Sequence, residues 1–374
     1  MLRYLTSGES HGKCMLAILD GIPAGLKIEE SFIDEELCRR MFGYGRGSRM
    51  KIERDSVEIL SGLRRSQTIG SPIAIMINNA DQSIDRLPVV LEPRPGHADL
   101  AGAMKYDRAD IRDVLERASA RETAVRVGVG AVCKILLSEF GIRITSHVTA
   151  IGKVESRKNN LGYKQIITLA ERSAVRCADS SASVLMCKEI TRAMADGDTL
   201  GGVFEVIASG VPAGLGSYAQ WDRRLDGILA QAVMSIQAVK AVGFGLGSDL
   251  AGMRGSSAHD EIFYSKARGF YRKTNNAGGI EGGMTNGEDI RIRACMKPIA
   301  TLRKPLASVN IKTKKAFKAT VERSDTCAVP AAGVIGEAVV AVEIANAMIG
   351  KFGGDSIGEM RRNFDGYLKQ IKKF

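Results

Sequence analysis

Ser10 and His11 are adjacent in the string GESHG, whose residue types could do two kinds of chemistry. The spacing G-x-S-x-G is that of the elbow that presents a nucleophilic serine in α/β-hydrolases. That elbow needs a helix after the serine, whereas the apolar run KCMLAILDG that follows here is typical of a strand. A serine hydrolase is therefore the alternative, not the favoured, interpretation. Labelling of Ser10 by a fluorophosphonate would distinguish the two.

Two of the four histidines, His11 and His97, lie in polar turns that contain glycine, SHG and PGHA. A lone histidine in a loop is more often a surface residue, but two in such settings are less easily dismissed. Imidazole gains and loses a proton near neutral pH, so both are candidates for proton transfer. His147 and His259 lie in TSHVTA and SAHDE, where a structural role is the simpler interpretation.

Arginines are concentrated in the same Gly-rich segments, RRMFGYGRGSRMKIER, RPGH, ERASARE and VERSD. Glycine lets backbone amides approach a ligand, and the arginine fork matches carboxylate or phosphate. This pattern predicts a concave anion site, although a solvated basic loop has the same composition. It is not a phosphate loop, because Gly12 and Lys13 are followed by Cys14, and no dinucleotide fingerprint is present.

Helix signals occur in four stretches that could position these residues. Ser31 and Asp34 form a possible capping box at the start of the first. The expected helices are SFIDEELCRRMF, a stretch from Ala120 that ends at Gly141, a stretch from Asp222 to Gly243, and a buried helix from Pro330 to Gly353.

Strand-like runs lie between the helices, and they do not alternate strictly with them. They are SVEILSGL, SPIAIMINN, GIRITSHVTAIG, GGVFEVIASG and EDIRIRACM, the last preceded by the hairpin signal Asn286-Gly287. This order predicts the α+β class, not a doubly wound sheet.

Two short strings recur at similar separations. GIPAGL at Gly21 returns as GVPAGL at Gly210, and LERAS at Leu115 has a counterpart in VERSD at Val321. We therefore predict two related halves, about 1–150 and 200–360, packed as one unit of residues 1–374 around a shared site. The simpler alternative is that G-x-P-A-G is a common turn.

The bulk composition narrows the class of protein. The net charge of +11 indicates anionic partners, but aromatic residues make up only 5% and no RNA-binding motif is present, so an RNA-binding module is disfavoured. Seven cysteines without C-x-x-C spacing fit a reduced compartment and no metal site. We expect no signal peptide and no membrane span, and hence a cytoplasmic protein.

Nine motifs in order along nearly the whole chain resemble the chorismate synthase family. They are GESHGK, GYGRGSRMKIE, RPGHADL, ASARET, DGDTLGG, GVPAGLGSYAQWDRRLD, NNAGGIEGGMTNG, MKPIATL and RSDTCAVPAA. The resemblance implies the family's β-α-β sandwich, with helices between antiparallel sheets. It also implies an anti 1,4-elimination that converts 5-enolpyruvylshikimate 3-phosphate to chorismate and phosphate with reduced FMN (FMNH2), the last step of the shikimate pathway.

The resemblance also implies roles for particular residues. His11 corresponds to the histidine linked to protonation of the departing phosphate, and His97 to the one linked to protonation of the reduced flavin. Asp325 and Ser10 correspond to residues proposed to take a proton from the flavin. In this interpretation Ser10 relays a proton and is not a nucleophile.

Binding residues are implied in the same way. The substrate contacts would be Arg40, Arg46, Arg49, Arg94 and Arg121. The flavin contacts would be Arg117, Ala118, Ser119, Gln237, Ala238, Gly282, Lys297, Pro298, Ile299, Ala300, Thr301 and Arg323.

Three positions depart from the usual family pattern. Ala118 stands where the family usually has serine, Gln237 where it has asparagine, and Met41-Phe42 where it has Gln-Gly. Loss of one hydroxyl contact is typically worth about 0.5–1.5 kcal/mol, so we expect weaker flavin binding without loss of function. The resemblance further implies a homotetramer and a reductant for the flavin, and we favour an external reductase or NADPH-dependent source because the chain has no dinucleotide fingerprint.

Overall fold

The computed structural model describes residues 1–47, 54–157, 161–322 and 324–374. Its α-helices, in chain order, are α1 (Glu30–Met41), α2 (Asp99–Tyr106), α3 (Arg112–Arg117), α4 (Thr123–Ser138), α5 (Tyr163–Ala170), α6 (Ser180–Ala195), α7 (Leu225–Met234), α8 (Gly255–Ala258), α9 (Val329–Phe352) and α10 (Ile357–Lys373).

The strands form two larger antiparallel sheets and four small hairpins within the described part of the chain. The strands are β1 (Arg3–Ser7), β2 (Cys14–Asp20), β3 (Val57–Ile59), β4 (Leu63–Arg64), β5 (Gln67–Thr68), β6 (Ile73–Asn78), β7 (Arg143–Ile151), β8 (Val154–Glu155), β9 (Gly202–Ser209), β10 (Val239–Phe244), β11 (Ile262–Ser265), β12 (Gly269–Arg272), β13 (Ile280–Glu281), β14 (Met284–Thr285), β15 (Ile290–Met296), β16 (Ala307–Val309) and β17 (Ala316–Lys318).

A layer of helices lies between the two larger sheets. α4 packs on β2 and β6 of the first sheet, α9 packs on β7 and β9 of the second, and the two helices pack on each other. Apolar residues from both sheets and from both helices form one continuous core. The predicted α+β class and sandwich layering are confirmed.

Two helix boundaries differ from the sequence prediction. Ser31 and Asp34 do not cap α1, because the helix already begins at Glu30 and Asp34 instead accepts a hydrogen bond from the N–H of Val57. The helix expected as far as Gly243 ends at Met234, and the remaining apolar residues form strand β10. Valine-rich runs suit a strand as well as a helix, and pairing with β15 decides here.

The hairpin expected at Asn286-Gly287 is not formed. These residues follow β14, but the next strand, β15, pairs with β9 and β10. A local turn signal does not determine which strand a following segment joins.

The two larger sheets have the same strand order. The first runs β1-β2-β6-β3 and the second runs β7-β9-β15-β10, with β8 added at one edge.

The turns GIPAGL and GVPAGL also correspond in their hydrogen bonds. The hydroxyl of Thr68 donates to the carbonyl of Pro23 at 2.6 Å and accepts from the N–H of Leu26 at 2.9 Å.

Thr285 makes the same pair of bonds in the second half. Its hydroxyl donates to the carbonyl of Pro212 at 2.6 Å and accepts from the N–H of Leu215 at 2.9 Å. If the turn motif had recurred by chance, we would not expect each copy to bond in the same way to a threonine far along the chain. These bonds and the common strand order support the proposal of two related halves.

α9 has the length and composition of a membrane span, which the sequence prediction did not expect. It has 24 residues and is the one such helix in the described ranges, but 83% of its most apolar window is buried inside the protein. Burial of this kind is typical of a core helix.

Candidate functional site

A cleft of about 430 Å³ opens where several loops meet the first turns of α9. Its walls come from the β1–β2 loop, the residues after α1, the turn before α2, the α3–α4 junction and the segments that follow α7 and β15. Among the predicted site residues that the structure describes, those that line it are Ser10, His11, Arg40, Arg46, Arg94, His97, Ala118, Ser119, Arg121, Gln237, Ala238, Lys297, Ile299, Ala300, Thr301 and Asp325.

His11 is held by a buried carboxylate. Its Nδ1 lies 2.9 Å and 3.0 Å from the two carboxylate oxygens of Glu116, and its backbone N–H donates to Glu116 Oε2 at 2.9 Å. Arg112 donates to Glu116 from the next turn of α3 at 3.2 Å. Burial opposes ionisation of Glu116, but the bonds from His11 and Arg112 outweigh it and lower the pKa of the carboxyl.

His97 has a similar partner on the other side of the cleft. Its Nδ1 lies 2.5 Å from Oδ1 of Asp99, whose side chain is fully buried. Arg94 donates to both carboxylate oxygens of Asp99, at 2.8 Å and 3.0 Å, and to the hydroxyl of Thr301 at 2.8 Å. Burial alone would raise the pKa of Asp99, but His97 and Arg94 hold it well below its ordinary value.

Arg40 and Arg121 share one carboxylate at the base of the cleft. Asp55 accepts from Arg40 at 2.7 Å and from Arg121 at 2.5 Å, and its side chain is fully buried. Burial opposes the charge on Asp55, but the two guanidiniums lower its pKa. Two cations facing one anion leave a net positive charge, which suits an anionic ligand.

Arg46 and Asp325 are far apart in the sequence but pair with each other in the wall of the cleft. Arg46 Nη1 lies 2.9 Å from Oδ2 of Asp325, and the N–H of Gly47 donates to Oδ1 at 2.6 Å. Gly45 has a φ of +91°, a conformation that favours glycine, which accounts for one glycine of GYGRG. Arg49 and Arg323, two further predicted contacts, lie outside the described residues.

Ser10 lies in a turn between two strands, not on a nucleophile elbow. β1 precedes it and β2 follows it, as the apolar run predicted. Its side chain is buried, and its Oγ accepts a hydrogen bond from Ser119 at 3.2 Å. The Nδ1 of His11 faces Glu116, so the adjacent histidine is engaged by a carboxylate on that side of its ring.

Three of the predicted flavin contacts do not line the cleft. The guanidinium of Arg117 donates to the carbonyls of Thr6 and Gly8 and so supports the β1–β2 loop from behind. Gly282 lies in the turn of the β13–β14 hairpin, and Pro298 is not a wall residue although both its neighbours are. A motif places a backbone segment at a site, but side-chain direction decides which members face it.

Sequence reasoning missed the carboxylates behind the cationic and imidazole groups. Asp55, Asp99 and Glu116 have no individual signal, although Asp99 belongs to RPGHADL and Glu116 precedes ASARET. A general expectation could have found them, since buried arginines in proteins are nearly always paired. Which acid pairs with which arginine is decided only by the fold.

A second cavity, of about 770 Å³, lies between α1, α4 and α5. Its charged walls include Glu36, Arg39 and Lys134, and both cations donate to Glu36 and to Glu337. This cavity is larger than the cleft, but His11 and His97 both line the cleft, which makes the cleft the candidate site.

Comparison with known proteins assigns the family. A family model described as chorismate synthase matches residues 2–349. The chain is 56% identical to the chorismate synthase of Geobacter sulfurreducens and 53% identical to that of Symbiobacterium thermophilum, with all of this chain and all of each relative covered. A structure titled as the crystal structure of chorismate synthase matches with a TM-score of 0.84 at 44% identity, covering 100% of this chain and 99% of that one. This chain therefore belongs to the chorismate synthase family.

Proposed function

We propose that this enzyme removes phosphate and a ring proton from 5-enolpyruvylshikimate 3-phosphate in an anti 1,4-elimination that yields chorismate. The carbon–oxygen bond to phosphate breaks, a ring carbon–hydrogen bond breaks, and a new double bond completes the diene. The observation that supports this reaction is that both turn histidines line the same cleft as four arginines. Family membership supports a role in aromatic amino-acid biosynthesis.

The charges of the cleft suit this substrate. Two carboxylates and a phosphate lose their water when they bind, and guanidiniums replace it with charge-assisted hydrogen bonds. Arg40, Arg94 and Arg121 are each at least nine-tenths buried, so the walls hold them in place before the ligand arrives. Such preorganised cations stabilise the phosphate as its charge develops.

His11 is proposed to protonate the departing phosphate. The Glu116 carboxylate lies 2.9 Å from Nδ1 of His11 and so holds the ring in one orientation in the cleft. His97 is proposed to hold a proton near the cofactor, with Asp99 in the same supporting position. Ser10 and Ser119 form a hydroxyl pair that could pass a proton along the same wall.

The residues present fit reduced FMN, which the family implies. Gln237 has a side-chain oxygen that is buried and without a partner among the described residues, as an acceptor for a ring N–H would be. Small apolar side chains at the start of α9 line the same cleft, namely Ala328, Ala331 and Ala332. Lys297, Ala300 and Thr301 lie beside them and would hold the polar part of the cofactor. When bound, reduced FMN supplies an electron-rich ring and a nitrogen base beside the substrate.

An anaerobic assay with the substrate, with and without reduced FMN, tests the reaction. We expect phosphate release only when the reduced flavin is present. Phosphate release without flavin, or none with it, would contradict the proposal. A fluorophosphonate should leave Ser10 unlabelled, and covalent labelling would favour the hydrolase instead.

We predict that His11→Ala and His97→Ala each lower turnover on the order of 10²–10⁴-fold, the usual cost of a lost proton donor. His259→Ala, which changes a histidine in the short α8 region away from the cleft, is the matched control and should leave turnover unchanged. Circular dichroism would check that each variant is folded. Near-normal turnover of either cleft variant would remove its assigned role.

We further propose a cytoplasmic homotetramer that receives reduced flavin from an external reductase or an NADPH-dependent source. Exposed aromatic rings support self-association, because Tyr264, Phe270 and Phe374 contact one another on the surface. Sedimentation velocity would measure the assembly, and a monomer would contradict it. Activity with NADPH and oxidised FMN alone would show that the enzyme reduces its own flavin.

A further inference from the structure

The two cleft histidines are supported in the same way, although they come from different loops. In each case Nδ1 is the ring nitrogen nearest to a carboxylate, Glu116 for His11 and Asp99 for His97. Both carboxylate groups are removed from solvent, with side-chain exposures of 1% and 0%. Each is also bonded to one arginine, which keeps it ionised and fixed.

The carboxylates are anchored by more than the imidazole. Glu116 accepts from the backbone N–H of His11 and from Arg112, and Arg112 is itself tied to Glu322 at 3.1 Å and to the carbonyl of Pro88 at 2.7 Å. Asp99 accepts from the backbone N–H of Arg94 as well as from its guanidinium. Neither acid can rotate away without breaking several buried bonds.

We propose that Glu116 and Asp99 are positioning residues that keep a proton on Nδ1 of His11 and His97, so that Nε2 is the nitrogen each ring presents for proton transfer. This inference rests on the proposed function for its kinetic consequences. The two ring nitrogens are distinct, and the bond made by one determines which proton the other carries. A buried carboxylate that orients a histidine in this way also stabilises the charged ring.

The two pairs differ in what else the carboxylate holds. Arg112 does not line the cleft, so loss of Glu116 should disturb His11 alone. Arg94 does line the cleft and takes two of its bonds from Asp99. Loss of Asp99 should therefore disturb both a proton donor and an anion contact.

This difference predicts a split in kinetic constants. Glu116→Gln should lower kcat about 10- to 100-fold, part of the effect of a lost general acid, with KM near that of the wild type. Asp99→Asn should lower kcat and also raise KM about tenfold, because Arg94 loses charge-assisted bonds. A merely structural role would lower the amount of folded enzyme without changing KM differently in the two variants.

Matched controls are available on the same helices. Asp113 on α3 pairs with Arg108 at the surface, and Asp107 follows α2 at the surface with a left-handed φ of +50° that asparagine tolerates. Asp113→Asn and Asp107→Asn should leave kcat and KM unchanged. Equal losses in a cleft variant and in its control would overturn the proposal.

The proton position can also be measured in the wild-type protein, which covers the case that a variant does not fold. The chain has only four histidines, so solid-state 15N spectra of histidine-labelled protein are simple, and His11→Asn and His97→Asn assign them. We expect a protonated Nδ1 in both rings. Arg94 Nη2 lies 3.1 Å from Nδ1 of His97, so the opposite tautomer would accept from Arg94, and an unprotonated Nδ1 in either ring would overturn the proposal.

The outcomes separate this inference from the proposed function. Wild-type enzyme that fails to release phosphate with reduced FMN would contradict the function, while the 15N spectrum would still decide the proton positions. Wild-type activity together with unprotonated Nδ1 atoms would retain the function and overturn the positioning role.

Discussion

Asp55 shows how much a single residue of the site depends on its neighbours. It follows a segment outside the described ranges and has no pattern of its own, yet its carboxylate joins Arg40 to Arg121 below the cleft. The guanidiniums lower its pKa despite burial, so the native state favours its ionised form. Stability from such a group is present above the ordinary aspartate pKa and is lost as pH falls through the lowered native value.

We predict that Asp55→Asn destabilises the protein by about 3–5 kcal/mol at pH 7, the usual cost of breaking a buried ion pair. Urea unfolding measures the change, with the exposed Asp113→Asn as control. The difference from wild type should shrink as pH falls below about 4, because there the Asp55 carboxylate of the unfolded chain takes up a proton while the native one is still charged. A difference that stays constant down to pH 3 would show that packing, and not charge, is responsible.

At the scale of elements, the α4–α9 contact determines the thickness of the helical layer. Gly130 of α4 faces Ala338 of α9 so closely that a methyl group at Gly130 would collide with the Ala338 backbone. Small residues on both helices therefore bring the two sheets close enough to share one core. Other glycines of these helices lie against the sheets, such as Gly128 beside Ile75 and Gly336 beside Phe204, so the small residues allow close packing on both sides of the layer.

We expect Gly130→Ala to lower the free energy of unfolding by about 1–3 kcal/mol, because overpacking forces the helices apart. Gly350→Ala near the end of α9 is the matched control, since no atom lies within 4 Å of the added methyl group. That substitution should stabilise the protein by about 0.5–1 kcal/mol through helix propensity. Thermal unfolding of both variants checks the signs, and equal effects would contradict the close-contact explanation.

At the scale of the whole molecule, Glu337 links parts of the chain that are far apart in sequence. It is fully buried on α9 and accepts from Arg39 of α1 at 2.7 Å and 2.9 Å, from Lys134 of α4 at 2.5 Å and from Ser146 of β7 at 2.6 Å. Burial opposes its charge, but Arg39 and Lys134 lower its pKa well below the ordinary glutamate value. Glu343, on the same helix, has a raised pKa because burial outweighs the attraction of Arg126.

These opposite shifts predict opposite effects of removing the charge. Glu337→Gln should destabilise the protein by about 3–5 kcal/mol at pH 7, because Arg39 and Lys134 lose one of the carboxylates that balance their buried charge and keep Glu36 as the one they share. Glu343→Gln should be neutral or stabilising at pH 7, because a group with a raised native pKa contributes stability only at low pH and loses it as pH rises. Urea unfolding at pH 7 measures both variants. Destabilisation of similar size in both would show that the opposite pKa shifts of the two glutamates do not determine the effect.

The paired threonine bonds give a test of the two halves. Thr68→Val and Thr285→Val each remove one hydroxyl that both donates and accepts in a buried turn. We predict destabilisation of about 1–3 kcal/mol in each, equal within about 0.5 kcal/mol. Thr168→Val, which removes an exposed hydroxyl within α5, serves as the control. A large cost in one half and none in the other would count against a duplicated structural unit.

Much of the secondary structure of this protein was determined by the local sequence. The β2 segment after Ser10 and the buried helix at 329–352 follow from residue pattern, because apolar periodicity and turn residues act over a few positions. The nine motifs, which occur in order along the chain, also indicated the family and the segments that line the cleft. Strand β1 and the short helices had too weak a pattern to be predicted. Helix α10 was missed although its sequence marks it, with Ser356 at the N-cap and the buried Met360 and Phe364 four residues apart.

Only the tertiary structure decided which groups meet. Pairing with β15 made residues 239–244 a strand, and the packing of both sheets onto one helical layer brought His11, His97 and Asp325 to one cleft. The carboxylates behind the imidazoles and guanidiniums are likewise a product of the fold. A charge buried far along the chain is stabilised only by the partner that packing places beside it, and no local pattern records that partner.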